Sequence, residues 1–378
     1  AMDQPDKRRE EMILESCGGD EMLADEVRSL LAAHDEAKDE LEVPPVLAMT
    51  GTGHHDTALS EMLPGYEVLR EIHRGGQGVV YQAIQLSTNR EVAVKVLLAG
   101  PLAGTVSKRR FQREVELAGG LRHPGIVPIF DSGLAHDQYF YAMELIDGLR
   151  LDRYVQDHSL SIESTLELFT RVCDAVGYAH RSGVIHRDLK PSNILVDEKA
   201  QPHVLDFGLA KLERVDAEHS VDAEHSVALS MTGQIMGTLA YMSPEQAAAK
   251  PDQNDATSDV YAMGVLLYES LTGKPPYELV GSLSDDLSII VNREPNQLLL
   301  HGSRVGKEIS TIVLKALSKE KKRRYVDAVA LGEDIERYLC GEPIEAKGAS
   351  VAYVIKKSMR KYSAYFVIAA TLIAGVTI

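Results

Sequence analysis

The chain has 378 residues, room for one large domain or two with tails, and its 44% hydrophobic content is ordinary for a globular protein. The net charge of −16 is unevenly spread: residues 1–65 hold 16 acids against 5 bases, which argues against nucleic acid as the main partner. Cys17, Cys173 and Cys340 lie far apart and without metal-ligand spacing, which argues against a disulfide framework and against zinc.

In chain order, residues 1–42 form an acidic segment. Met12, Ile13, Met22, Leu23, Val27, Leu30 and Leu31 recur at roughly helical spacing, interrupted by Gly18-Gly19, which predicts two short helices in a docking segment without chemistry. Residues 43–63, with Pro44-Pro45, Gly51 and Gly53, read as a linker. A strand pattern opens at Tyr66-Glu67-Val68-Leu69 and runs into His73-Arg74-Gly75-Gly76-Gln77-Gly78. Glycines between two strands let backbone N–H groups approach a phosphate without side-chain obstruction. Lys95 follows Gly78 by 17 residues, a spacing that suits two antiparallel strands folding a lysine beneath the loop. Residues 108–121 have an amphipathic helical pattern, Tyr139–Met143 reads as a buried strand, and Leu166–His180 as a second amphipathic helix.

The stretch Val184-Ile185-His186-Arg187-Asp188-Leu189-Lys190-Pro191-Ser192-Asn193 organises the chain, and Asp206-Phe207-Gly208 follows 13 residues after Asn193. Apolar residues flank both pieces, so the pattern predicts a polar loop between short buried strands. Two carboxylates, an ammonium and an amide (Asp188, Lys190, Asn193, Asp206) suit a hard cation and a phosphate better than a soft metal. Further on, Val215–Ser220 is repeated without change as Val221–Ser226, the mark of a duplication in a tolerant loop. Ser258–Gly264 opens a long apolar helix that Ser258 or Asp259 can cap. Residues 342–362 are basic. The 16 uncharged residues 363–378 would span ~24 Å as a helix, against ~30 Å of hydrocarbon, and are expected to be the start of a truncated transmembrane helix.

His186-Arg187-Asp188, Asn193 and Asp206-Phe207-Gly208 together resemble the catalytic and metal loops of the eukaryotic-like bacterial Ser/Thr protein kinases, of the membrane-anchored type. The resemblance covers roughly residues 66–340, with the motifs in order. It implies an α+β, bilobal protein-kinase-like fold, with a β-rich N-lobe and a mostly helical C-lobe over residues 64–341. The implied reaction is transfer of the γ-phosphoryl of Mg·ATP to protein Ser/Thr hydroxyls. By the same resemblance Asp188 accepts or orients the substrate proton, and Lys190 neutralises charge on the transferring group. Asn193 and Asp206 would hold Mg2+. Gly75 and Gly78 would cover the phosphates (His73 stands at the first glycine position of the pattern), and Lys95 would hold the α/β-phosphates while paired with Glu114. Val80, Ala93 and Leu195 would sandwich the adenine beside Met143, with backbone groups of Glu144 and Ile146 on its edge.

The resemblance extends to regulation. Lysine two residues after the aspartate, and Thr238 near it, are similar to the Ser/Thr-specific group. Ser226, Ser230 and Thr232 are candidate phosphosites in the activation segment, and Arg187 is the candidate phosphate partner. Ser243-Pro244-Glu245 stands where Ala-Pro-Glu is usual, with Arg324 as the partner of Glu245, and Asp259 would anchor the catalytic loop. The expected partners are protein substrates, a membrane reached through the C-terminal helix, and a second copy for autophosphorylation in trans; no nucleic acid is expected. The basic Lys356–Lys361 cluster places the kinase domain on the cytoplasmic side of the cell membrane, in a single-pass arrangement. The other reading is a pseudokinase scaffold at the membrane, which His73 alone supports.

Overall fold

The computed structural model describes residues 63–75, 78–97, 105–136, 138–207, 239–249, 254–300 and 303–348, together with Tyr353 and Lys357. The acidic segment, the linker, the duplicated hexapeptide, Ser226, Ser230, Thr232, Thr238 and the apolar stretch 363–378 lie outside the described residues.

Five antiparallel strands make the first layer: β1 (Tyr66–Gly75), β2 (Gly78–Gln85), β3 (Arg90–Leu97), β4 (Ile129–Ala135) and β5 (Gln138–Glu144), in the order β1-β2-β3-β5-β4. β3 is rich in valine, and the branched side chains of Val92, Val94 and Val96 suit a pleated surface covered by neighbours. The opposite face of β3 presents Ala93, Lys95 and Leu97. Helix α1 (Thr105–Gly119) packs its Val115 into the cluster of Ala93, Leu97, Tyr139, Tyr141 and Met143.

The remainder is mostly helical, with a small sheet of β6 (Gly148–Arg150), β7 (Ile194–Asp197) and β8 (Pro202–Val204) on its upper side. Helix α2 (Leu151–Asp157) follows β6, and α3 (Ile162–Arg181) begins at Ser161, whose hydroxyl accepts the Ser164 N–H at 3.1 Å. The stripe Leu166, Phe169, Val172 and Val176 of α3 is fully buried. Each such side chain stabilises the fold by about 1.5–3 kcal/mol. Helix α8 (Ala328–Leu339) lies against α3 at a separation only glycine allows. A Cβ on Gly177 would meet Val329 Cγ2 at 2.6 Å, and one on Gly332 would meet Cys173 Cβ at 2.8 Å.

Helix α5 (Ala256–Thr272) is apolar on nearly every side because it runs through the C-lobe core. Its cap differs from the sequence expectation. Asp255 is the N-cap and accepts the Thr257 N–H at 2.9 Å, so the helix starts earlier and Ser258 and Asp259 stand inside its first turn. That frees both for tertiary bonds. Ser258 donates to Glu245 Oε1 at 2.7 Å. Glu245, from the short helix α4 (Pro244–Ala247), forms a two-pronged pair with Arg324 at 2.8 Å on each side. The Arg324 fork is completed by the carbonyls of Ser318, Thr257 and Lys319.

Packing on the C-lobe continues past residue 341, where the sequence placed its edge. Ile344 is 2% exposed, and the buried Asp334 accepts the Ala346 N–H at 2.9 Å and the Tyr325 hydroxyl at 2.7 Å. Helix α7 (Lys307–Ala316) supplies Glu308, which accepts the Tyr353 hydroxyl on one oxygen and pairs with Lys357 on the other, both at 2.5 Å.

Breaking a buried ion pair on one side leaves an uncompensated charge. Arg324→Met is therefore expected to cost about 3–5 kcal/mol, read as a shift in the urea midpoint with unchanged slope. Arg324→Met combined with Glu245→Gln is expected to recover part of that loss.

Candidate active site

The strand register builds the upper side of the site. Lys95 and Tyr141 are direct cross-strand partners on β3 and β5, and Ala93 and Met143 are the next pair on that face. Val80 and Ile146 pack against Ala93 and Met143, so four of the expected adenine neighbours meet in one apolar cluster. Leu195 sits on β7, opposite His203. The Glu144 N–H is spent on Pro128 O at 3.2 Å, so it does not serve a ligand edge in this arrangement. Gly75 and Gly78 are opposed across the β1–β2 turn. A Cβ on Gly78 would lie 2.3 Å from Val96 O, so glycine is required there for β2 to reach β3.

The lower side hangs from Asp259. Its carboxylate accepts the His186 N–H at 2.7 Å, the Arg187 N–H at 2.8 Å and His180 Nε2 at 2.9 Å. Burial would raise this carboxyl, but His180 and the loop donors outweigh it and hold it below the usual carboxylate range. Arg187 takes a left-handed φ of 68°, and that turn redirects the chain into Asp188. The Asp188 N–H donates to His186 Nδ1 at 3.3 Å, which leaves the ring proton on Nε2, 2.7 Å from Leu205 O. The same ring lies 4.8 Å from that of Phe207. One buried histidine thus ties the loop of Asp188 to the strand end of Asp206.

Asp188 and Lys190 come together, with Lys190 Nζ 2.8 Å from Asp188 Oδ2. Asn193 directs its amide nitrogen to Asp188 O at 2.8 Å and to Oδ2 at 3.3 Å, while its backbone carbonyl accepts the Leu205 N–H at 2.9 Å. That backbone bond sets Asn193 beside the residue that precedes Asp206, and the two residues offer one amide oxygen and one carboxylate. Two oxygen donors of this kind fit a hard cation such as Mg2+.

Lys95 and Glu114 do not form the expected pair. Lys95 Nζ lies 2.6 Å from Asp206 Oδ2, and Glu114 Oε1 is instead 3.9 Å from Arg187 Nη1. The reason is positional: the turn of α1 that carries Glu114 faces the catalytic loop, and the nearest anion for a buried ammonium is Asp206. Arg187, the candidate phosphate partner, is accordingly beside a carboxylate here. Burial would raise the Asp206 carboxyl, but the Lys95 ammonium and then the Tyr141 hydroxyl hold it below its ordinary value. Two contacts had no signal in the local sequence. The Tyr141 hydroxyl donates to Asp206 Oδ1 at 2.5 Å, and Gln246 Nε2 donates to Arg187 O at 2.9 Å. The latter joins α4 to the catalytic loop, and Gln246 also closes a capping box with Ser243.

Comparison with known proteins settles the family. The protein kinase domain family matches residues 66–332. The chain belongs to the protein kinase domain family. It is 36% identical over 290 residues to a probable serine/threonine-protein kinase of Streptomyces coelicolor, covering 75% of this chain and 41% of that one. It is 34% identical over 295 residues to the serine/threonine-protein kinase PknB of Mycobacterium tuberculosis, covering 77% and 45%, and 34% identical over 272 residues to PrkC of Bacillus subtilis, covering 72% and 40%. The chain thus spans less than half the length of these curated relatives. Among solved structures, the kinase domain of M. tuberculosis PknI superposes with a TM-score of 0.55 at 24% identity, covering 74% of this chain and 96% of that one, a likeness of fold. The five-stranded N-lobe and helical C-lobe are those of a protein kinase domain.

The kinase domain's depressed carboxyls predict an acid limb. Asp206, Asp259 and Glu245 lie below their unfolded values, so their contribution is fully present above about pH 4 and is lost as pH falls through the folded values. The thermal midpoint is expected to drop below about pH 4. Asp259→Asn is expected to flatten that drop while lowering the midpoint at neutral pH.

Proposed function

We propose that this chain is a serine/threonine protein kinase that transfers the γ-phosphoryl of Mg·ATP to Ser/Thr hydroxyls of proteins and phosphorylates its own activation segment. The observation that carries this reading is Asp188, whose carboxylate is held between the Lys190 ammonium and the Asn193 amide on a loop anchored by Asp259. In that frame Asp188 orients the attacking hydroxyl and takes its proton, help worth about 10²–10⁴-fold. Lys190 offsets negative charge on the group in transit. Asn193 and Asp206 would hold Mg2+, which would supply positive charge against the negative charge of the phosphates. The face of Ala93, Met143, Val80 and Ile146 would receive the adenine, and Lys95 would turn from Asp206 to the phosphates.

The relatives are named serine/threonine-protein kinases, and Lys190, two residues after Asp188, supports the same substrate class here. We further propose a single-pass membrane anchor through residues 363–378, with the basic cluster Lys356–Lys361 beside it and the kinase domain on the cytoplasmic side. Among the described residues no helix is long and apolar enough to cross a membrane, and that stretch lies beyond them. A second copy would serve as substrate for phosphorylation in trans.

Incubation with labelled ATP and Mg2+ tests the reaction. Wild type is expected to label itself and a generic basic protein, and Asp188→Asn to lose about 10²–10⁴-fold in rate. A wild type that labels neither leaves the scaffold reading standing. Alanine at Ser226, Ser230 and Thr232 together is expected to lower specific activity; an unchanged value removes the regulatory role of these residues.

A further inference from the structure

We propose that Tyr141 is a positioning residue for Asp206: its hydroxyl holds the carboxylate in the orientation that receives Mg2+ after Lys95 has left for the nucleotide phosphates. The inference rests on the kinase reading above and adds a residue to it.

Three observations lead there. First, Lys95 and Tyr141 are direct partners across β3 and β5, so their side chains leave the sheet on one face and converge on a single target. They divide the Asp206 carboxylate between them, Lys95 on Oδ2 at 2.6 Å and the Tyr141 hydroxyl on Oδ1 at 2.5 Å. Second, the two donors differ in freedom. Lysine carries its charge on a flexible four-carbon stem. Tyr141 is 0% exposed on an interior strand, flanked by Ser132 of β4 and Lys95 of β3, and its ring belongs to the cluster with Met143 and Tyr139. Its hydroxyl stays where the sheet puts it. Third, Asp206 has a left-handed φ of 59°, which Asp tolerates better than most L-residues and which sets the direction in which its carboxylate leaves the backbone.

These facts assign different fates to the two bonds. A carboxylate oxygen has two lone pairs, so Oδ1 can keep the hydroxyl bond while the group serves a cation. Oδ2 becomes free when Lys95 withdraws. Tyr141 then fixes the rotation of the carboxylate from behind, and carboxylates that bind metals are characteristically hydrogen-bonded in this manner. Without the hydroxyl the carboxylate can rotate, and the cost falls on Mg2+ affinity. Adenine contacts on the same sheet face keep their shape.

The test reads binding, not turnover. Thermal midpoints of the full chain are measured with a fixed, saturating, non-hydrolysable ATP analogue and increasing Mg2+, for wild type, Tyr141→Phe and Tyr141→Met. Both variants retain an apolar side chain of useful volume and share only the loss of the hydroxyl. The expected result is a Mg2+ concentration for half-maximal stabilisation about tenfold higher in both variants, with the metal-free analogue shift unchanged. Half-saturation at the wild-type concentration, or below it, overturns the proposal. A loss of the metal-free analogue shift in parallel with the Mg2+ response also overturns it, because the hydroxyl would then be shaping the nucleotide pocket and not the metal site alone. A wild type with no Mg2+-dependent response overturns the kinase reading itself, and is distinguished by not requiring either variant.

Discussion

A buried carboxylate that would be unstable alone is the constraint on which the catalytic side of this molecule depends. Asp259 sits inside the first turn of a core helix, out of water, and must find donors there. It finds them in His180 and in the N–H groups of His186 and Arg187. The loop is consequently shaped by the needs of an anion that never meets a ligand. The left-handed Arg187, the side-chain bond of His186 to Leu205 and the approach of Asn193 to Asp188 all follow from that attachment. Arg324 and Glu245 repeat the solution a short distance away, pinning α4 so that Gln246 can reach Arg187 O.

The upper side follows a different logic. There one ammonium on a flexible stem leaves a sheet toward charges carried by a helix and by loops. Lys95 needs an anion at all times because it is 8% exposed. In this structure the anion is Asp206, while Glu114 leans toward Arg187. Lysine, aspartate, glutamate and arginine thus form two pairs out of several available. Which pairs form is decided by the position of α1 and by whatever phosphate or cation enters. Exchange among these partners costs less than exposure of any one of them, which gives the cleft a route from one arrangement to another.

Much of this was legible in the residues themselves. The motif spacings placed the glycine turn, the strand lysine, the polar loop and Asp206 in order, and the bilobal α+β architecture came with them. The pairing of Arg324 with Glu245 and the anchoring by Asp259 were also readable, through the resemblance of the motifs to a known family and not from any local pattern. What escaped was everything set by long-range register. The partner of Lys95 depends on how α1 lies against the sheet, which no local pattern encodes. Tyr141 read as one more apolar member of a buried strand, yet its hydroxyl serves a carboxylate 65 residues away. The α5 cap was misplaced because Ser258 and Asp259 were read as its candidates, whereas Asp255 caps the helix and tertiary contacts use the other two.

The double grip of Glu308 on Tyr353 and Lys357 has a mechanical meaning. A pull on the chain at Lys357 meets one carboxylate on α7, and the chain before it is held by the backbone bonds of residues 345 and 346 to Asp334 in the middle of α8. Load applied from that side is therefore divided between two helices of the C-lobe before it can reach α5 and the loop suspended from it. A tyrosine, a lysine and a glutamate thus make a clip that fastens positions 353 and 357 to α7.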